Sequence, residues 1–237
     1  MDVLGGLVIP HRFRGPTGSG NGGYVAGRLA SFARGNVRVR LLRAPPLEVP
    51  LDVVRLPDDT LLLRQGEAVI ADARPYDLQI EVPRPPDYLA AMEASLGYAG
   101  LRHHPYPECF VCGPARARGD GLRLFAGPVT GRALVAAPWT PDDSLAVDGK
   151  VAPEHMFAAL DCPGAFALGT LVPGTVLGTL SAHVDRLARA GKPHVVIGWR
   201  IDRDGRKCRV GTAVFDEDGG LCGRAEGIWI LPRETPG

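Results

Sequence analysis

Short apolar-rich segments bounded by turn residues recur along two long stretches of the chain. Between Asn36 and Ile80 the segments NVRVRLL, LEVPLDVVRL, TLLLRQGEAVIADA and DLQIEV each predict strand. Pro57-Asp58-Asp59 supplies a turn between two of them. From Gly178 to Ile230 the plan recurs as GTLSAHVDRL, HVVIGWRI, RKCRVGTAVFD and LCGRAEGIWIL. Turns are expected at Asp202-Arg203-Asp204-Gly205 and at Asp216-Glu217-Asp218-Gly219-Gly220. Ahead of each run the apolar period changes to that of a helix. The first helix is predicted over Gly22–Ala33, with Tyr24, Val25, Leu29 and Phe32 at helical spacing and Asn21 as the N-cap. The second is predicted over Pro153–Phe166, with Pro153 in its first turn and Met156, Phe157 and Leu160 as its apolar stripe. Pro163-Gly164 is expected to break that helix late.

The recurrence extends to short local matches. Arg40-Leu41-Leu42-Arg43-Ala44 resembles Arg186-Leu187-Ala188-Arg189-Ala190, and Gly66-Glu67-Ala68-Val69-Ile70 resembles Gly211-Thr212-Ala213-Val214-Phe215, at nearly the same spacing. Each half therefore reads as a strand, a helix and a run of antiparallel strands. That is an α+β plan in which one helix covers a curved antiparallel sheet. The Pro-rich stretch EVPRPPDYLAAMEASLGYAGLRHHPYPE separates the halves, with DYLAAMEASLGY as a candidate short helix. The predicted organisation is an N-terminal domain over 1–83, a linker over 84–105 and a C-terminal domain over 106–237.

Composition narrows the function classes. A net charge of +1 and 6% aromatic residues argue against nucleic acid and anionic membranes as partners. No run approaches the ~20 apolar residues of a membrane span. MDVLGGLVIPHRF lacks the basic segment and cleavage site of a signal peptide, so a cytoplasmic location is expected. Five cysteines, an odd number, speak against a secreted disulfide framework. Gly18-x-Gly20-x-Gly22-Gly23 lacks the βαβ context of a dinucleotide site.

Cys109-x-x-Cys112, with His103 and His104 upstream, has metal-ligand spacing, but no second cysteine pair matches it. No metal is assigned on that basis. Cys208 and Cys222 fall in strands and read as small buried hydrophobes. Cys162 lies two helical turns after His155, which leaves a Cys–His nucleophile as an alternative to a buried structural cysteine.

Two segments carry a family resemblance. Gly20-Asn21-Gly22-Gly23-Tyr24-Val25-Ala26-Gly27 resembles the helix start of hotdog acyl-CoA thioesterases. Cys109-Phe110-Val111-Cys112-Gly113, followed by Gly119-Asp120-Gly121-Leu122-Arg123-Leu124, resembles the opening segment of PaaI-like hotdog proteins. Leu160-Asp161 stands where that family has Leu-Asp. The resemblance implies two tandem hotdog domains and hydrolysis of an acyl-CoA or related thioester, with no cofactor beyond the CoA of the substrate. It also implies a composite site: Gly22 and Gly23 N–H groups from the first half, with Asp161 from the second as nucleophile or general base. Asn21, Tyr24, Glu154 and His155 are the expected substrate contacts.

The departures are specific. Ala152-Pro153-Glu154 replaces the family's His-Gly-Gly in the second half, and Ala30 replaces its acidic residue in the first. One working site and one decayed site per chain follow from that alignment. A plain cap at Asn21 and a surface or capping role for Asp161 are the competing readings. So are an acyl- or CoA-binding protein without turnover and an enoyl-thioester hydratase, for which Asp161 with His155 is the nearest pair. Arg116 and Arg118 either contact CoA phosphates or belong to a solvated loop. A fused pair already satisfies the basic dimer; a homodimer of chains is the preferred assembly over a monomer.

Overall fold

The computed structural model describes residues 2–16, 18–169 and 171–233. The first half contains β1 (Asp2–Leu7), α1 (Gly22–Ala30), β2 (Val37–Leu41), β3 (Leu51–Arg55), β4 (Leu61–Gln65) and β5 (Ala68–Pro75). After α2 (Tyr88–Leu96), the second half begins with β6 (Gly127–Pro128), β7 (Val135–Trp139), β8 (Ala146–Val147) and β9 (Lys150–Val151). It continues through α3 (Pro153–Ala159), α4 (Cys162–Phe166), β10 (Val176–Val184), β11 (His194–Asp204), β12 (Lys207–Phe215) and β13 (Leu221–Ile230). The architecture is α+β, dominated by antiparallel sheet.

One 11-stranded sheet runs in the order β1-β3-β4-β5-β2-β10-β13-β12-β11-β7-β6. Its two parts mirror each other, and β2 meets β10 at the seam through Arg40↔Thr179, Val39↔Leu180 and Arg38↔Ser181. Arg38 ties the seam together. Its Nε donates to Ser181 Oγ at 2.9 Å, its Nη2 to Glu226 Oε1 at 3.2 Å, and its guanidinium lies 3.5 Å over the Tyr76 ring. A single apolar core passes through both halves, from Val39 and Leu63 to Leu160 and Val214. The helices α1 and α3 pack against each other inside it.

Most expected strands form: β2 and β4 bury alternate residues, while β11 and β12 carry runs buried on both faces. DLQIEV does not. Residues 77–86 run without ladder hydrogen bonds, with Ile80 and Val82 packed on a second, smaller cluster around Ala136, Ile197 and Phe215. The flanks of β5 are already taken by β4 and β2, and Pro83, Pro85 and Pro86 have no N–H to offer. The stretch read as a linker is likewise packed: Ala91 and Ala94 of α2 are buried in that same cluster. Of the two local repeats, the second does not hold. Gly66-Glu67 forms the turn into β5, whose counterpart by sheet order is β13, whereas Gly211–Phe215 lies in β12.

Candidate active site

The site grows from a break in a helix. Pro163 has no N–H to give to the carbonyl four residues earlier, so α3 stops at Ala159, earlier than the sequence predicts. The next carbonyl, of Leu160, leaves the helix pattern and accepts from Thr212 Oγ1 at 2.6 Å. Asp161, at φ −93° and ψ −82°, stands in the gap before α4. Its Oδ2 accepts from Asn21 Nδ2 at 2.8 Å and from Gly23 N–H at 3.0 Å. Asn21 also caps α1, its Oδ1 accepting from Tyr24 N–H at 2.9 Å.

Glycine makes this meeting possible. A Cβ on Gly23 would sit 2.6 Å from Asp161 Cβ and 2.7 Å from the Phe157 carbonyl oxygen. One turn later, a Cβ on Gly27 would sit 2.6 Å from Glu154 Cα. The glycines share one face of α1, and the order of their partners shows that α3 runs antiparallel to it. The carboxylate of one half is thus delivered to the positive end of the helix of the other.

Asp161 is only 2% exposed, and its Oδ1 has no hydrogen-bond partner among the described residues. Burial raises its carboxyl to about 7 and Cys109 adds to the rise, while the Gly23 N–H and Asn21 amide pull the other way. The residue lines a cavity of about 300 Å³ whose walls are mainly apolar, including Leu41, Leu177, Ala165, Phe166 and Leu171. Thr175 and Trp229 line the same cavity, and Thr175 Oγ1 and Trp229 Nε1 also lack partners among the described residues. Gly22, the first residue of α1, is in the wall, and its N–H makes no hydrogen bond among the described residues. Arg43 is on the lining, exposed and without an ion pair among the described residues.

The structure brings Asn21, Gly22, Gly23 and Asp161 together and sends the other expected contacts elsewhere. Tyr24 is buried, its ring stacked on Phe13 at 4.0 Å and on His155 at 5.9 Å. His155 Nδ1 lies 2.9 Å from the Leu145 carbonyl, and no hydrogen bond joins His155 to Cys162. Glu154 lies against Gly27 in the helix interface. None of the three lines this cavity. Their helix faces point to the core, which a sequence period cannot distinguish from a ligand. Arg116 is buried in a structural role, donating to the carbonyls of Glu108 and Arg12 and to Asp120 Oδ2 at 2.8 Å. Sequence reasoning missed the convergence of Cys109, Cys112 and Cys162 in this wall, and it missed Thr175 and Trp229.

No family model matches the chain, and no curated protein matches it. Solved structures do. A candidate thioesterase II from Thermobifida fusca aligns over 98% of this chain and 96% of its own at TM-score 0.61 and 12% identity. The tesB protein of Mycobacterium avium subspecies paratuberculosis aligns over 90% of this chain and 88% of its own, at TM-score 0.58 and 16% identity. A candidate thioesterase from Novosphingobium aromaticivorans aligns over 96% and 95%, at TM-score 0.59 and 10% identity. The chain shares the fold of these proteins, the hotdog fold. Among the described residues, no helix of this hotdog protein is long and apolar enough to cross a membrane.

Two buried histidines add an acid-sensitive share to the stability of the fold. Burial lowers His155, against the Leu145 carbonyl and Glu154, and it lowers His194, against the Lys192 carbonyl. A folded-state value below the ordinary 6.5 means that the unfolded chain takes up protons first on acidification. The contribution of these two histidines is therefore full above about 6.5 and is lost as pH falls below it, whereas Asp161, raised to about 7, contributes in the opposite direction as pH falls through that value. The slope is at most about 1.4 kcal/mol per pH unit for each histidine. Urea unfolding at pH 7.5 and 5.5 checks this, with His155→Gln expected to flatten the slope.

Proposed function

We propose that this protein is a thioester hydrolase acting on acyl-CoA or related thioesters. It works as a double hotdog of two halves, 1–83 and 106–237, with one composite site between them. The observation that carries the reading is the Asp161 carboxylate, one oxygen unpartnered, held at the N-terminus of α1 in the wall of an apolar cavity. The acyl chain takes the apolar wall. The thioester carbonyl oxygen takes the Gly22 N–H, where the helix dipole favours developing negative charge. Asp161 Oδ1 draws a proton from water as the water oxygen attacks the carbonyl carbon, and the CoA sulfur leaves as a thiolate that is then protonated. Arg43 offers positive charge to the phosphate-bearing arm. No cofactor beyond the substrate's own CoA is needed. The reciprocal site is decayed: Pro153 has no N–H at the start of α3, and Ala30 has no carboxylate.

One observation favours ligand binding without turnover. Asp161 already accepts the Gly23 N–H, so the amide most suited to an oxyanion is occupied by the protein's own carboxylate. The two readings separate in one experiment. CoA release is followed across short-, medium- and long-chain acyl-CoAs, with calorimetry on the same ligands. Turnover supports the hydrolase, heat of binding without turnover supports the binding protein, and neither signal removes both.

A further inference from the structure

The pair Cys109-x-x-Cys112 finds its third partner in the fold. Cys109, Cys112 and Cys162 form no disulfide and are buried, and their sulfurs lie within 4.8 Å of one another. Cys109 Sγ and Cys162 Sγ are 3.8 Å apart across 53 positions of sequence. Thiols are weak hydrogen-bond partners, so three of them gain little from one another. A tetrahedral zinc ion with bonds of about 2.3 Å, by contrast, spaces its sulfur ligands about 3.8 Å apart. Sulfurs this close leave room for a single ion.

The backbone around the trio is built as a cradle. Gly113 N–H donates to the Cys109 carbonyl at 2.9 Å, closing the turn over the sulfurs. A Cβ on Gly113 would lie 2.6 Å from Cys109 N and closer still to the Pro107 carbonyl, so only glycine fits. Leu122 and Leu124 N–H groups hold the carbonyls of Phe110 and Val111 at 2.8 Å, and Tyr98 Oη donates to the Cys112 carbonyl at 2.8 Å.

Donors also face the sulfurs. Asn21 Nδ2 lies 3.9 Å from both Cys109 Sγ and Cys162 Sγ. His104 Nε2 lies 3.3 Å from Cys112 Sγ, while its Nδ1 accepts the Tyr106 N–H at 2.9 Å. A neutral imidazole that accepts at Nδ1 carries its proton on Nε2, so His104 donates to the sulfur. N–H donors of this kind stabilise thiolates and tune a metal from outside its ligand shell.

We propose that Cys109, Cys112 and Cys162 bind one zinc ion as thiolates, with His104 donating its Nε2–H to the Cys112 sulfur. All three cysteines line the cavity, so the fourth coordination position is reached by solvent or ligand. A soft, all-sulfur set selects zinc over magnesium or calcium. The ion clamps the 109–112 turn to the start of α4 and so fixes the neighbour of Asp161.

The test is metal content of the full chain, purified without metal-affinity resin, together with the absorption of its cobalt-exchanged form. Wild type should carry about one equivalent of zinc, and its cobalt form should show sulfur-to-metal charge transfer with visible bands of a tetrahedral site. Cys162→Ser should drop the metal below about a tenth of an equivalent, and Cys208→Ser should keep it. His104→Ala should retain the metal with affinity weakened about 10–100-fold. Wild type that stays metal-free after reduction and zinc reconstitution, or a disulfide within the trio by mass mapping, overturns the proposal. Complete loss of metal in His104→Ala overturns the assignment of His104 as a donor outside the ligand shell. If Cys162→Ser fails to fold, the wild-type count and cobalt spectrum decide alone. None of these readouts depends on turnover, so the outcome stands apart from the hydrolase reading.

Discussion

Asp161→Asn should lower kcat for thioester hydrolysis by about 10²–10⁴-fold while leaving the fold in place. The substitution keeps the shape of the side chain, and its Oδ1 can still accept an N–H from α1. What it loses is the ability to take a proton from water or to attack the carbonyl. The expected loss corresponds to about 2.7–5.4 kcal/mol of transition-state stabilisation. Two further readouts separate this from damage to the site. Binding of an acyl-CoA by calorimetry should change by only a few-fold, because the apolar wall and the Gly22 N–H are untouched. The thermal midpoint should stay near wild type, since a buried carboxylate with one oxygen unpartnered is replaced by a neutral amide. Turnover that survives in Asp161→Asn would sink the composite site, whatever the fold.

The sheet was legible in the sequence wherever one face of a strand is buried. β2, β3 and β10 to β13 fall within a few residues of the expected segments, whereas TLLLRQGEAVIADA, read as one strand, turns at Gly66-Glu67 into β4 and β5. DLQIEV alternates polar and apolar residues and forms no strand, because strand formation needs an open edge as well as a pattern, and none is beside it. The start of α1 was legible from Asn21 because a cap is a local device. The end of α3 was misread: a proline acts backwards, on the carbonyl four residues earlier, so the break falls at Leu160-Asp161 and not at Pro163. That displacement is what frees Asp161 to face α1.

Site residues divided along the same line. Asn21, Gly22, Gly23 and Asp161 came from motif positions and are brought together across the two halves. Tyr24, Glu154 and His155 are adjacent to those motifs in sequence, but a helix turns by 100° per residue, and their faces meet the core or the partner helix. Cys162 could not be joined to Cys109 and Cys112 from spacing, since the contact crosses from a loop to a broken helix. The signal present was an unexplained third cysteine beside the helix-breaking proline. One proline therefore positions both the carboxylate at α1 and the sulfur at the cysteine turn.

Gly23→Ala should cost stability and, beyond that, catalysis. The added methyl would sit 2.6 Å from Asp161 Cβ, 2.7 Å from the Phe157 carbonyl oxygen and 3.0 Å from Ala158 Cα. Two of these atoms are backbone and cannot rotate away, so α1 and α3 must move apart. Overpacking of this kind costs about 1–3 kcal/mol, against which alanine returns up to about 1 kcal/mol of helix propensity. The net loss should lower the thermal midpoint by about 2–4 °C for each kcal/mol. Gly27→Ala is the control, because it presses on Glu154 Cα at 2.6 Å in the same interface, one turn from the carboxylate. Both variants should lose stability to a similar degree. Only Gly23→Ala lengthens the 3.0 Å hydrogen bond to Asp161 Oδ2, so its turnover should fall at least tenfold below that of Gly27→Ala, an extra loss of about 1.4 kcal/mol. Equal turnover in the two variants would mean that helix packing alone, and not the hold of α1 on the carboxylate, sets the activity.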